Sequence, residues 1–192
     1  MASASAGQAD TFPKLLLRNA RERGGRVAFR HKDLGIWQSW TWADVYDNVR
    51  AYAVGLQQLG MKRGDKIAIL AANSIEYLET FMGGLRAGAC VVPLSTMAAA
   101  DALEKMLDDC DAKVLFLSDQ YRELVEPYEN RLGKLIDGGR IAYDFSRPGW
   151  RSFEEWLTPA SEGAFAVPIG VLDDFNIIYS SGTTGLPKGI LH

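Results

Sequence analysis

Four short hydroxyl side chains, three glycines and one lysine are gathered in Ser180-Ser181-Gly182-Thr183-Thr184-Gly185-Leu186-Pro187-Lys188-Gly189, between the apolar runs Ile177-Ile178-Tyr179 and Ile190-Leu191. Glycine reaches positive φ and lets the backbone approach a ligand without a Cβ clash, so successive N–H groups can point into one concavity and hold an anion. The hydroxyls of Ser180, Ser181, Thr183 and Thr184 add short donors. Lys188 adds a positive charge, and a hydrogen bond to an ionised oxygen is roughly twice as strong as a neutral one. Pro187 fixes φ before the lysine and opposes a helix start there. The chemistry is that of a phosphate cradle.

Two other readings compete for the same residues. The P-loop needs glycine immediately before its lysine and Ser or Thr immediately after it, at the opening of a helix. Here the neighbours are Pro187 and Gly189, and Ile190-Leu191 reads as strand. A flexible linker of Gly, Ser and Thr is the blander alternative, but a linker does not require apolar strands on both sides or a proline-lysine pair within it.

The segment from Ser180 to Gly189 resembles the signature loop of the adenylate-forming superfamily, which includes acyl-CoA and aryl-CoA synthetases, luciferases and the adenylation domains of peptide synthetases. Leu85-Arg86-Ala87-Gly88-Ala89-Cys90-Val91-Val92-Pro93-Leu94 is similar to an upstream core motif of that family, and Trp40-Thr41-Trp42-Ala43-Asp44-Val45 to the start of its first helix. The resemblance runs from about Phe12 onward and covers the N-terminal portion of a family member. It implies a loop that closes on the phosphates of ATP while a carboxylate attacks the α-phosphorus, releasing pyrophosphate and leaving an acyl-adenylate that passes its acyl group to a thiol, usually coenzyme A. Ser180, Ser181, Thr183, Thr184 and Lys188 would steady the triphosphate, and Gly182, Gly185 and Gly189 would let the backbone wrap it. The resemblance further implies ATP, Mg2+ and CoA as cofactors of a full-length parent. The groups that contact adenine, ribose and magnesium, and the catalytic lysine, lie downstream of His192 in relatives. The expectation is therefore an N-terminal fragment that is inactive alone, with no catalytic or metal-ligating residue of its own. A stand-alone phosphate-binding module and an inert scaffold are the alternatives. The Gly35-Ile36-Trp37-Gln38 and Trp40-Thr41-Trp42 pattern points toward fatty-acyl or related CoA synthetases.

The elements around the loop read as a doubly wound α/β layer, a mainly parallel sheet with helices on both faces. Thr41 with Asp44 three residues on is a capping pair, and Val45, Val49, Tyr52, Ala53, Leu56 and Leu59 recur at helical spacing up to Gly60. Strands are expected at 66–70, 90–92, 114–117 and 140–143, separated by helices at about 74–87, 99–109 and 120–135. Continuous apolar strands alternating with helices imply parallel pairing. Residues 146–168 read as a surface connection with a short helix near 153–157. Residues 1–11 are expected as a disordered tail, and 12–192 as part of one AMP-binding domain cut after the phosphate loop. Such a cut would leave apolar strand surface open to self-association, with a poorly ordered segment at about 180–189.

Composition narrows the partners. A net charge of −3 with 47% hydrophobic residues is ordinary for a globular chain, and no cluster of Lys and Arg stands out to suggest nucleic acid. No apolar run approaches the roughly 20 residues that span a bilayer, and the first ten residues lack the features of a signal peptide. Cys90 and Cys110 read as core thiols of a reducing cytoplasm. Trp37, Trp40 and Trp42 read as core packing and His31 as a surface residue. His192 stays unassigned. Asp108, Asp109 and Asp111 read as a solvated acidic face and not as a metal site.

Overall fold

The computed structural model describes residues 10–160, 167–180 and 187–192. Its helices are α1 (Phe12–Arg23), α2 (Trp42–Gln58), α3 (Ile75–Arg86), α4 (Ala100–Asp109), α5 (Arg122–Val125) and α6 (Phe153–Ala160). Its strands are β1 (Val27–Asp33), β2 (Ile36–Thr41), β3 (Lys66–Leu70), β4 (Cys90–Pro93), β5 (Ala112–Leu117), β6 (Arg140–Ala142), β7 (Arg151–Ser152), β8 (Ile177–Ser180) and β9 (Lys188–Leu191).

The central sheet has five strands in the order β4-β3-β5-β6-β7, every pair parallel. The chain starts at β3, steps outward to β4, then returns past β3 to build the rest. This is the winding that places helices on both faces. Alternate strand residues divide accordingly. Ile67, Ile69, Val91, Val114, Phe116 and Ile141 pack toward α2, α3 and α6, and Ala68, Leu70, Val92, Leu115 and Leu117 pack toward α4 and α5. Both faces of the strands are apolar because both are covered.

Local chemistry sets the helix starts. Thr41 accepts from the Asp44 backbone N–H at 3.2 Å, while the Asp44 carboxylate accepts from the Thr41 N–H at 2.8 Å, a reciprocal capping box. Ser74 caps α3 through the Tyr77 N–H at 3.1 Å. Helices α2 and α3 approach closely because α3 presents Gly83, where a Cβ would lie 2.4 Å from the Tyr52 Cβ.

The sequence-based expectations need correction in four places. The expected helix over 120–135 is α5 alone, four residues between 3-10 turns. Pro127 has no N–H to give to the carbonyl one turn back, so the α-helical ladder breaks there and continues only as a 3-10 turn. The 146–168 connection is more than surface. Arg151 and Ser152 extend the sheet beside Ile141 and Ala142, and α6 sets Trp156 edge-on to Phe116 at 5.3 Å and to Tyr52 at 5.9 Å. The tryptophans divide, since Trp40 and Trp42 pack with Leu16, Val45 and Val49, whereas Trp37 is 64% exposed.

The fourth correction is an element that the sequence reading did not resolve. β1 and β2 form an antiparallel hairpin whose two-residue turn, Leu34-Gly35, has φ of 44° and 85°. Such a turn favours Asn-Gly. A leucine in left-handed backbone costs about 1 kcal/mol, and Leu34 recovers none of it by packing, being 95% exposed.

Asp10 and Thr11 belong to the start of α1. Asp10 pairs with Lys14 at 2.6 Å, and the Thr11 carbonyl accepts from the Leu15 N–H at 2.9 Å.

Candidate functional site

β8 leaves the core along the free edge of β4. The Val91 N–H donates to the Phe175 carbonyl at 3.2 Å, and Val91 and Asn176 form a parallel bridge. β8 therefore runs in the direction of the sheet strands, and its last residue, Ser180, is delivered toward their carboxyl side. In open α/β sheets that is the side where ligands bind. The chain then returns as β9, pairing Ile177 with Leu191, Ile178 with Ile190, Tyr179 with Gly189 and Ser180 with Lys188. The open end is closed by the Phe175 N–H donating to the His192 carbonyl at 2.7 Å and the His192 N–H donating to the Asn176 carbonyl at 2.9 Å. His192 is thus a backbone tie of the hairpin.

Ser180 and Lys188 face each other at the base of the candidate loop, both exposed. The Lys188 ammonium forms no ion pair or hydrogen bond with any described residue, so it is available to an anion. Ser181, Gly182, Thr183, Thr184 and Gly185 lie outside the described residues. At the expected mobile segment, Ser180, Lys188 and Gly189 are strand residues in the β8–β9 ladder. A strand also follows the lysine, where a P-loop would require a helix.

Gly189 has a packing reason for being glycine. Its φ lies outside the positive region that the glycines of the loop were expected to make accessible. A Cβ there would meet Ile177 at 2.9 Å and the Tyr179 ring at 3.2 Å. The ring needs that space because Tyr179 crosses toward α4, where its hydroxyl donates to the Asp109 carboxylate at 2.6 Å and lies 3.2 Å from the Met106 carbonyl. Burial, reinforced by this contact, raises the Tyr179 pKa and keeps the phenol protonated. Tyr179 and Asp109 went unrecognised in sequence because a strand tyrosine reads as generic packing. The signal was its place one residue before the first loop hydroxyl.

Tyr179→Phe removes the tie to Asp109 and keeps the ring. With a partly exposed hydrogen bond worth about 1 kcal/mol, amide exchange over 177–180 and 188–191 is expected to quicken about fivefold, with global melting little changed. Unchanged exchange there would show that the tie does not hold the hairpin.

The other candidates resolve separately. Asp108 pairs with Lys134 at 2.9 Å and Asp111 with Lys113 at 2.9 Å, while Asp109 serves Tyr179, so the three carboxylates do not converge. Among the described residues no three His, Cys, Asp or Glu side chains are grouped to hold a metal. Cys90 and Cys110 are free and buried, and burial pushes both thiols up to about 11, which makes them inert packing groups. His31 is exposed on β1. No helix of the described residues is long and apolar enough to cross a membrane.

A hairpin whose loop carries this hydroxyl, glycine and lysine pattern lies at the edge of a parallel sheet, and the family described as AMP-binding enzyme matches residues 16–192. The chain belongs to this family. A long-chain-fatty-acid–CoA ligase, FadD15 of Mycobacterium bovis, is 28% identical over 186 residues, covering 95% of the chain and 31% of that relative. FadD13 of Mycobacterium tuberculosis, also a long-chain-fatty-acid–CoA ligase, is 34% identical over 137 residues, covering 71% of the chain and 26% of the relative. The 4-hydroxybenzoate–CoA/benzoate–CoA ligase of Rhodopseudomonas palustris is 29% identical over 176 residues, with 91% and 32% covered. Among solved structures, the anthranilate CoA ligase AuaEII in complex with anthranoyl-AMP superposes with a TM-score of 0.85 at 28% identity, over 94% of this chain and 34% of that one. The chain spans about a third of the length of these AMP-binding enzymes.

Proposed function

We infer that this chain supplies the phosphate-handling part of an ATP-dependent acid–CoA ligase. The observation that carries the reading is the pairing of Ser180 with Lys188 at the loop-bearing end of a hairpin, on the carboxyl side of the sheet, in a member of the AMP-binding enzyme family. Ser180 donates from its hydroxyl to a phosphate oxygen, and Lys188 offsets charge on the departing pyrophosphate. Ser181, Thr183 and Thr184 add donors, and Gly182 and Gly185 keep the backbone close to the phosphates. A substrate carboxylate oxygen attacks the α-phosphorus, the bond to the bridging oxygen of the β-phosphate breaks, and pyrophosphate leaves. The thiolate of CoA then attacks the acyl carbonyl and AMP departs. The contribution of the chain is positional and electrostatic, the larger part of catalysis when charge spreads over phosphoryl oxygens. Mg2+, if bound, would screen the triphosphate through ligands other than the described residues.

The curated relatives are named for long-chain fatty acids, 4-hydroxybutyrate, benzoate and indoleacetate. A carboxylate is what these acids share, so we assign the class and not the acid, with the soluble cytoplasm as the setting. The 192-residue chain alone is proposed to lack activity. Self-association is proposed for it through the outer face of the hairpin, where the paired Ile178 and Ile190 are exposed.

The reading is tested by carboxylate-dependent exchange of labelled pyrophosphate into ATP, using the intact protein that contains this chain and a panel of fatty and aromatic acids. Exchange with at least one acid supports it. Nucleotide binding without exchange would mark a binding module, and neither would mark a scaffold.

A further inference from the structure

The β1–β2 hairpin breaks two local rules at once. Its turn places Leu34 in left-handed backbone where Asn is favoured, and it leaves Leu34, Ile36 and Trp37 exposed by 95%, 66% and 64%. The base of the hairpin, Ala28, Phe29 and Trp40, is packed against the protein. The register explains what the distal half presents. Lys32 stands opposite Trp37 and Arg30 opposite Ser39, so Arg30, Lys32 and Trp37 share the face that points away from the core. The Lys32 ammonium lies 5.8 Å from the Trp37 ring.

Charge is segregated in the same region. Residues 12–40 hold seven Lys and Arg against two Asp and Glu, a net +5 in a chain of net −3, which leaves −8 on all other residues. The acidic total had concealed this basic segment. Arg18, Arg21, Arg23, Arg26 and Arg30 are exposed and form no ion pair with any described residue. They extend from the last turns of α1 into β1.

We propose that this hairpin docks the protein on an anionic lipid bilayer, with Leu34 and Trp37 entering the headgroup boundary and Arg30 and Lys32 meeting lipid phosphates. The combination of basic side chains, a tryptophan and aliphatic groups on one projecting element is the composition of an interfacial anchor. A narrow convex tip can insert between headgroups, whereas it offers a second copy of this chain little flat area to bury. Nucleic acid would answer the cations but not the aliphatic tip. The attachment is to a surface, in keeping with the lack of a membrane-crossing helix among the described residues.

The test is flotation of the intact protein with vesicles of phosphatidylcholine, alone or mixed with phosphatidylglycerol. The mixed vesicles are expected to carry the protein and the neutral ones to leave it behind, with binding lost as salt is raised. Arg30→Gln combined with Lys32→Gln should lower partitioning about thirtyfold, at about fivefold per cation. Leu34→Asn suits the turn better than leucine, so the variant folds, and it should lower partitioning about tenfold. Quenching of tryptophan emission by brominated lipid should disappear in Trp37→Phe. The proposal is overturned if the intact protein ignores mixed vesicles, if Leu34→Asn binds them as well as the parent, or if the hairpin variants only shift a monomer–dimer equilibrium or heparin retention.

Discussion

Replacing Lys188 by Ala in the intact protein is expected to slow the adenylation half-reaction about ten- to a hundredfold while leaving the melting temperature where it was. A charge-assisted hydrogen bond to a phosphate is worth about 1.5–3 kcal/mol, and that contact is the whole of what the side chain does in the proposed account. The Lys188 side chain is exposed and its ammonium has no partner among the described residues, so truncating it leaves the backbone ladder intact. Carboxylate-dependent pyrophosphate exchange and a thermal melt, run on the same variant, separate the two effects. An unchanged half-reaction would remove Lys188 from the phosphate site.

The second large effect concerns stability. Glu79 lies on α3 with 4% of its surface exposed, accepting a hydrogen bond from Asn48 Nδ2 at 2.8 Å with the Tyr52 hydroxyl at 3.5 Å. Burial pushes its carboxyl up to about 7, and the nearby Glu76 carboxylate adds to the rise, against the opposing effect of the Asn48 hydrogen bond. The folded state then holds the proton more tightly than the unfolded chain, whose glutamates titrate near about 4.3. Stability is fully present below that value and is lost as pH rises through about 7, by about 4 kcal/mol at most. Denaturant midpoints taken from about pH 4.5 to 8 should fall across that window, and Glu79→Gln should flatten the fall and be more stable than the parent at the alkaline end. A fall of the same size in Glu79→Gln would place its origin elsewhere.

Where the sequence was legible, local chemistry and tertiary packing agreed. Thr41 and Asp44 announce α2 and make the expected pair of bonds, and the apolar runs at β3, β4 and β5 are continuous because helices cover both faces. It misled where one residue overruled a pattern. Pro127 cut the helix that the periodicity over 120–135 suggested. Leu34, in a place that favours Asn, hid the turn of the first hairpin. In α6, Phe153, Trp156 and Leu157 stand at helical spacing and carry the signal of a buried face, but the Gly, Pro and Ser around them read as surface.

The candidate site divides in the same way. The hydroxyls and the lysine could be named from residue type, because phosphate chemistry is local. The support could not, since Tyr179 and Asp109 are 70 positions apart in the chain and meet only when β8 lies against α4. Gly189 was chosen for a conformational reason and proved to make room for a ring.

The central claim is that the intact protein joins a carboxylate oxygen to the α-phosphorus of ATP. The most direct measurement supplies a carboxylate labelled with heavy oxygen, lets one turnover proceed, and weighs the products by mass spectrometry. The account predicts the label in AMP and none in pyrophosphate. Label in inorganic phosphate or pyrophosphate, or ATP cleaved with no transfer of label at all, would contradict it.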